Sequence, residues 1–292
     1  MTVKEKAYAK INLYLDVIGR REDGFHEILS VMQSVSLYDE ISVKAEYAEM
    51  TNIKLSTSDP SLPTDESNLV YRSAVKYLQY FNITASLEIE IFKRIPIGAG
   101  LGGGSTDAAA TLRALNSIFG LGNQKELLKI AAELGSDVPF CLIGGSAFCI
   151  GRGEKVSENE NRSFMHFVVS IGDDRISTPE AYRRLDERYD CFRSTPGYEI
   201  GNNAVRMCGA LYRRENISEL CYNIFETVTK LESIDNIKET LRKSGAEVSL
   251  MSGSGPSVFG IFSSRDKAIA AEKELKKQGY LAFYCHSIGV KE

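Results

Sequence analysis

Five glycines fall among residues 98–105 of the stretch Pro96-Ile97-Gly98-Ala99-Gly100-Leu101-Gly102-Gly103-Gly104-Ser105-Thr106. Backbone without Cβ atoms can turn successive N–H groups inward and let a large anion approach closely. A strand-like run, residues 87–92, leads into the loop. A strong helix former, residues 106–119, leaves it, with Ser105-Thr106-Asp107 available as a cap. Strand, glycine loop and the positive end of a helix together make a phosphate cradle. A tight turn or flexible linker has similar composition, but a linker would not sit between an alternating strand and an alanine-rich helix. No Gly-x-x-x-x-Gly-Lys-Ser/Thr occurs, which excludes a P-loop. Gly98-x-Gly100-x-x-Gly103 has dinucleotide spacing. That fold, however, places its loop after the first strand of a βαβ unit, with an acid about 20 residues further on. Glu126 and Glu133 lie in a helical stretch, so the dinucleotide site is the second reading.

Three other places carry groups that could do chemistry. Residues 6–17 alternate, which sets Lys10 and Asn12 side by side on the polar face of a half-buried strand. Taken alone, this segment reads first as a solvated face bearing a lone lysine. The turn at Asp23-Gly24 delivers Phe25 and His26, a ring and an imidazole that could stack on and hydrogen-bond a planar base, or serve as a core contact and a helix cap. Asp137 stands at the edge of the apolar run Val138-Pro139-Phe140-Cys141-Leu142, as either a cap or a carboxylate of tuned acidity.

The surrounding pattern shows what positions these groups. Residues 38–46 and 52–57 read as strands, 27–35 as a short mixed segment and 69–80 as an amphipathic helix opened by Asn68. A helix over 124–134 stops at Gly135 in a left-handed turn. The polar segment 157–163 marks a boundary between a domain of residues 1–160 and one of residues 161–292. Ser177-Thr178-Pro179-Glu180 starts a helix that carries Tyr182. Helices fill most of 200–244. A strand at 246–251, a second glycine turn at 252–256, a strand at 257–262, a helix at 265–278 and a last strand follow.

At 292 residues the chain can bury a sizeable core, and its 43% hydrophobic and 25% charged content is that of a soluble globular protein. A net charge of −4 argues against a nucleic-acid footprint. The cysteines, at 141, 149, 191, 208, 221 and 285, form no C-x-x-C pair and read as free thiols of a reducing compartment. No apolar leader and no 18-residue apolar run occur, so a cytoplasmic protein without a membrane span is expected. No metal-ligand spacing is present, which leaves protein ligands for a metal unknown, and the sequence carries no signal for oligomeric state.

Three segments together resemble the GHMP kinase superfamily. They are Ala9-Lys10-Ile11-Asn12-Leu13, the loop from Pro96 to Thr106, and Met251-Ser252-Gly253-Ser254-Gly255-Pro256. Asp23-Gly24-Phe25-His26 and Leu134-Gly135-Ser136-Asp137-Val138-Pro139-Phe140 resemble one branch of it. These landmarks run in family order from residue 7 to 260. Phe25 stands where that branch usually has tyrosine, which keeps the ring and removes the hydroxyl; Tyr8 stands where proline is frequent.

The resemblance implies an α+β, two-lobed GHMP kinase fold. Its N-terminal lobe would be like ribosomal protein S5 domain 2 and its C-terminal lobe ferredoxin-like, with the site between them. It implies small-molecule substrates only: ATP with Mg²⁺ as co-substrate, no prosthetic group, and a cytidine diphosphate sugar alcohol. The acceptor would be the 2-hydroxyl of 4-diphosphocytidyl-2-C-methyl-D-erythritol, in the non-mevalonate route to isoprenoids. By the same resemblance Asp137 would be the base and Lys10 would hold it ionised and stabilise the transferred group. Residues 96–106 (Pro96, Ile97, Gly98, Ala99, Gly100, Leu101, Gly102, Gly103, Gly104, Ser105, Thr106) would cradle the phosphates, with Asn68 at the adenine. Asn12, Phe25, His26, Thr178 and Tyr182 would bind the second substrate.

Overall fold

The computed structural model describes residues 1–161, 163–174, 176–189 and 198–290; Cys191 and Arg162, the latter within the expected boundary segment, lie outside them. The chain forms two compact units. The first comprises Met1–Ala9, Leu37–Ile97 and Gly102–Ile143; the second comprises Lys10–Ser36, Gly98–Leu101 and Gly144–Glu292. Strands β1 (Thr2–Arg20) and β2 (His26–Tyr47) are long enough to serve both, so the division cuts these strands rather than the polar segment at 157–163.

In the first unit β3 (Asn52–Thr57) runs parallel to β4 (Ala85–Phe92), and β4 pairs antiparallel with residues 40–47 of β2. Helices α1 (Leu69–Tyr80), α2 (Gly103–Phe119), α3 (Gln124–Leu134) and α4 (Val138–Ile143) pack on one another. The fully buried run Ala108-Ala109-Ala110 lets α2 approach its neighbours closely. Asn123 and Glu126 form a reciprocal capping box at the start of α3. Gly135 ends that helix with φ 176°, an extended rather than left-handed stop, and the apolar run beyond it turns straight into α4.

The second unit holds a four-stranded antiparallel sheet of order β11-β7-β10-β9. Its strands are β7 (His166–Ile171), β9 (Val248–Met251), β10 (Ser257–Phe262) and β11 (Leu281–His286). Helices α7 (Glu232–Lys243) and α8 (Arg265–Lys277) pack on it, and Ile237, Leu241, Ala268, Ala271 and Leu275 bury their side chains in its core. Hairpin strands β5 (Ser146–Gly151) and β6 (Lys155–Asn159) extend residues 28–33 of β2. Helices α5 (Thr178–Arg188) and α6 (Tyr198–Arg213) complete the unit with β8 (Tyr222–Asn223), which runs parallel to β1 at Tyr14 and Leu15.

Three elements differ from their sequence pattern. β2 is one strand, although Ser30, Gln33 and Ser34 break its apolar alternation. These residues are buried and satisfied by distant groups: Ser30 Oγ donates to Tyr14 O, and Gln33 Nε2 donates to Ile288 O. β1 is buried on both faces from Ala9 to Val17 rather than half-buried. The expected helical stretch 200–244 is interrupted after Arg213. Arg214 has φ 59°, and Asn223 Oδ1 accepts the Phe225 N–H to bend the chain through β8.

Candidate active site

The glycine loop and the second glycine turn meet within the second unit. Gly98 and Gly100 have φ of +68° and +76°, values that cost most residues about 1–2 kcal/mol. Gly100 is further constrained, because a Cβ there would lie 2.7 Å from Ser252 O and 3.0 Å from Gly255 O. The loop's carbonyls are used for anchoring. Lys10 N–H donates to Leu101 O at 2.9 Å, Ser257 N–H to Ala99 O at 3.3 Å and Ser252 Oγ to Gly100 O at 3.4 Å. Ala99 and Leu101 are buried, whereas Ile97 is exposed.

The polar face of β1 runs under these turns. Lys10 is only 5% exposed; its Nζ donates to Asn12 Oδ1 at 2.9 Å, and Asn12 Nδ2 donates to Ser30 Oγ at 2.9 Å. A Cβ on Gly253 would lie 3.5 Å from Lys10 Nζ and 3.2 Å from Gly100 O, so ammonium, loop and second turn surround one point. Burying an ammonium is costly without hydrogen bonds or an anion, and a solvated strand face would not require it. Further along the strand, burial raises the Asp16 carboxyl to about 6, against the opposing bonds from Val17 N–H and the Tyr14 hydroxyl.

The expected base-binding residues divide. Phe25 is half exposed, with the Arg152 guanidinium 4.7 Å from its ring centroid. The His26 side chain is 9% exposed; its ring stacks on Tyr182 at 4.5 Å and 24°, and its Nε2 lies 2.7 Å from Asp186 Oδ1. Tyr182 and Asp186 stand one turn apart on α5, so a single helix face orients the imidazole. Thr178 Oγ1 lies 2.9 Å from Ser254 Oγ, which ties the start of α5 to the second glycine turn.

In the first unit the expected cap is not where the sequence put it. α2 starts at Gly103, with Gly102 (φ 72°) as its N-cap and no side-chain hydrogen bond there. The left-handed Gly102 turns the chain into the helix three residues early, so Ser105, Thr106 and Asp107 fall inside the first turns. Thr106 Oγ1 donates to Tyr8 O at 2.7 Å, and Asp107 pairs with Lys93. A helix N-terminus without a side-chain cap leaves its first N–H groups for another acceptor, such as an anion. Asn68 caps α1 by accepting the Val70 N–H at 2.9 Å, and its Nδ2 donates to Pro63 O at 2.7 Å. Asp137 is partly buried at the start of α4, where its carbonyl accepts the Cys141 N–H.

Two site residues escaped the sequence reading. Asn223 Nδ2 donates to Met251 O at 2.7 Å and Gly253 O at 2.8 Å, holding the second glycine turn from a segment whose local pattern read as helix. Asp186 was one helical turn from the singled-out Tyr182, and that spacing was the available signal. Among the described residues no three His, Cys, Asp or Glu side chains group as a metal cage, and no helix is long and apolar enough to cross a membrane.

Two family models match this chain: the GHMP kinases N terminal domain over residues 68–145 and the GHMP kinases C terminal over residues 209–281. The chain is 40% identical to a 4-diphosphocytidyl-2-C-methyl-D-erythritol kinase of Caldicellulosiruptor bescii, over 98% of this chain and 100% of that one. It is 39% identical to the enzyme of the same name from Clostridium botulinum (strain Alaska E43 / Type E3), over 97% and 99%. Among solved structures, it resembles that of a 4-(cytidine 5'-diphospho)-2C-methyl-D-erythritol kinase with a TM-score of 0.78 at 30% identity, covering 98% and 100%. A homoserine kinase from Cytophaga hutchinsonii has the same fold, with a TM-score of 0.78 at 23% identity, covering 99% and 95%.

Proposed function

The chain belongs to the GHMP kinase family, and from that premise we propose that it transfers the γ-phosphoryl group of ATP to the 2-hydroxyl of 4-diphosphocytidyl-2-C-methyl-D-erythritol. Full-length likeness to relatives of that name supports the substrate. The observation that carries the chemistry is the buried Lys10 ammonium beside the two glycine turns. An ammonium placed there can lie against the phosphates of a nucleotide held by the two turns.

Phosphoryl transfer asks a protein for positioning and charge stabilisation more than for covalent chemistry. The loop from Pro96 to Thr106 holds the triphosphate through main-chain N–H groups, and the uncapped start of α2 adds its dipole. Asn68 lies at the adenine. Bound to the nucleotide, Mg²⁺ would supply further screening of the phosphate charge. Asp137 accepts the proton of the attacking hydroxyl, and Lys10 stabilises negative charge on the transferred group. Phe25 and His26 take the cytosine, with Tyr182 as a second ring, and Asn12 and Thr178 bind the rest of the substrate. Asp186 keeps the His26 ring in one orientation. The enzyme works in the cytoplasm on small molecules.

A substrate panel tests this reading. With Mg-ATP, ADP release coupled to NADH oxidation should depend on the cytidine diphosphate sugar alcohol and stay at background with homoserine or mevalonate. Equal rates with homoserine would remove the substrate assignment while leaving the kinase.

A further inference from the structure

The first unit contains a buried ionic trio that neither the loop nor the acceptor chemistry has yet used. Lys93 directly follows β4, and its Nζ donates to Asp39 Oδ2 and, at 2.8 Å, to Asp107 Oδ2. Asp39 Oδ1 accepts the backbone N–H of Arg94 and, at 2.8 Å, that of Ile95. The side chains of Lys93, Asp39 and Asp107 are 7%, 0% and 4% exposed. Lys93 stands at one end of the glycine loop and Asp107 in the helix at the other. Gly103 packs hard against the trio, since a Cβ there would lie 3.3 Å from Lys93 Nζ and 3.3 Å from Ile95 Cγ2.

We propose that Lys93, bridging Asp39 and Asp107, is a positioning residue that sets the span of the glycine loop for the triphosphate. This rests on the loop being the ATP site. The chain from 94 to 102 contains three glycines at positive φ and has little stiffness of its own. Joining both ends through the Lys93 ammonium, which is itself anchored on Asp39 of β2, supplies what the loop lacks. Stability alone is a poor reason for the trio, because well-packed apolar side chains commonly serve a core as well as buried ions do. The charge balance is uneven too. Asp39 receives three donors, whereas Asp107 Oδ1 is buried without a hydrogen-bond partner. Burial pushes the Asp107 carboxyl up to about 7, with Lys93 opposing and Asp39 adding to the rise. Burial works against the Lys93 ammonium as well, but the two carboxylates outweigh it and raise its pKa.

The test compares wild type, Asp107→Asn and Lys93→Met in steady-state kinetics and in calorimetric titration with ADP. Asp107→Asn keeps the side-chain shape and the Lys93–Asp39 pair but loosens one end of the clasp. We expect it to raise KM for ATP and Kd for ADP about three- to tenfold, with KM for the cytidine substrate changed less than about twofold. Lys93→Met leaves two facing carboxylates and should have the larger effect; where it does not fold, Asp107→Asn decides. A fall in Tm with KM and Kd unmoved, or an equal rise in both KM values, overturns the proposal. An inactive wild type that still binds ADP would instead remove the proposed reaction, and the ADP titrations would continue to judge the clasp.

Discussion

Alanine substitutions at three glycines of one loop should have three different outcomes, each set by local geometry. At Gly100, φ +76° costs alanine about 1–2 kcal/mol. Its Cβ would also press on two backbone oxygens, at 2.7 and 3.0 Å, which belong to the second glycine turn and cannot rotate away. Overpacking of this kind costs about 1–3 kcal/mol more, so Gly100→Ala should destabilise by about 2–5 kcal/mol. Gly98 shares the left-handed φ of +68° but has nothing within 4 Å of its Cβ position. Gly98→Ala should therefore cost only about 1–2 kcal/mol. Gly104 lies in α2 with open space around it, and Gly104→Ala should gain up to about 1 kcal/mol in helix propensity. Urea denaturation monitored by far-UV circular dichroism measures all three. Equal losses at Gly100 and Gly98, or a clear loss at Gly104, would refute the assignment of the close approach to Gly100.

Other consequences follow from single side chains. Asp16, 2% exposed, has a folded pKa of about 6 against an ordinary 3.8, so its ionisation opposes folding. The contribution is present below pH 4 and lost as pH rises through 6. At 1.36 kcal/mol per pH unit, the displacement of about two units bounds the loss at about 3 kcal/mol. Asp16→Asn should stabilise the protein at pH 8, have about half that effect at pH 5 and little below pH 4; a pH-independent difference in urea midpoints would contradict this. Asn223→Ala removes three buried hydrogen bonds, and at about 1 kcal/mol each it should cost about 3 kcal/mol; a loss under about 0.5 kcal/mol would exclude Asn223 as the brace of the second turn. Asp137→Asn should fold and bind ADP while kcat falls about 10²–10⁴-fold; near-normal kcat would remove it as the base.

Much of this was legible from local pattern. The strand before the glycine loop, the helix over 124–134 and the two strands flanking the second glycine turn all follow from neighbours in sequence. The features that differed depend on distant partners. Burial of the Lys10 face comes from elements far along the chain, such as Ser30 and Gly253. β2 continues through Ser30 and Gln33 because Tyr14 and Ile288 supply acceptors that no window around those residues contains. The start of α2 moved to Gly103 because a positive φ at Gly102 does the turning expected of a hydroxyl or carboxylate cap. The motifs marked the turns, and the long-range bonds decided which face each strand presents.

The most direct measurement is ³¹P NMR of the purified protein with Mg-ATP and 4-diphosphocytidyl-2-C-methyl-D-erythritol. A phosphomonoester resonance should grow in step with ADP while the diphosphate of the acceptor stays intact. ADP accompanied only by inorganic phosphate, or no consumption of ATP, would contradict it.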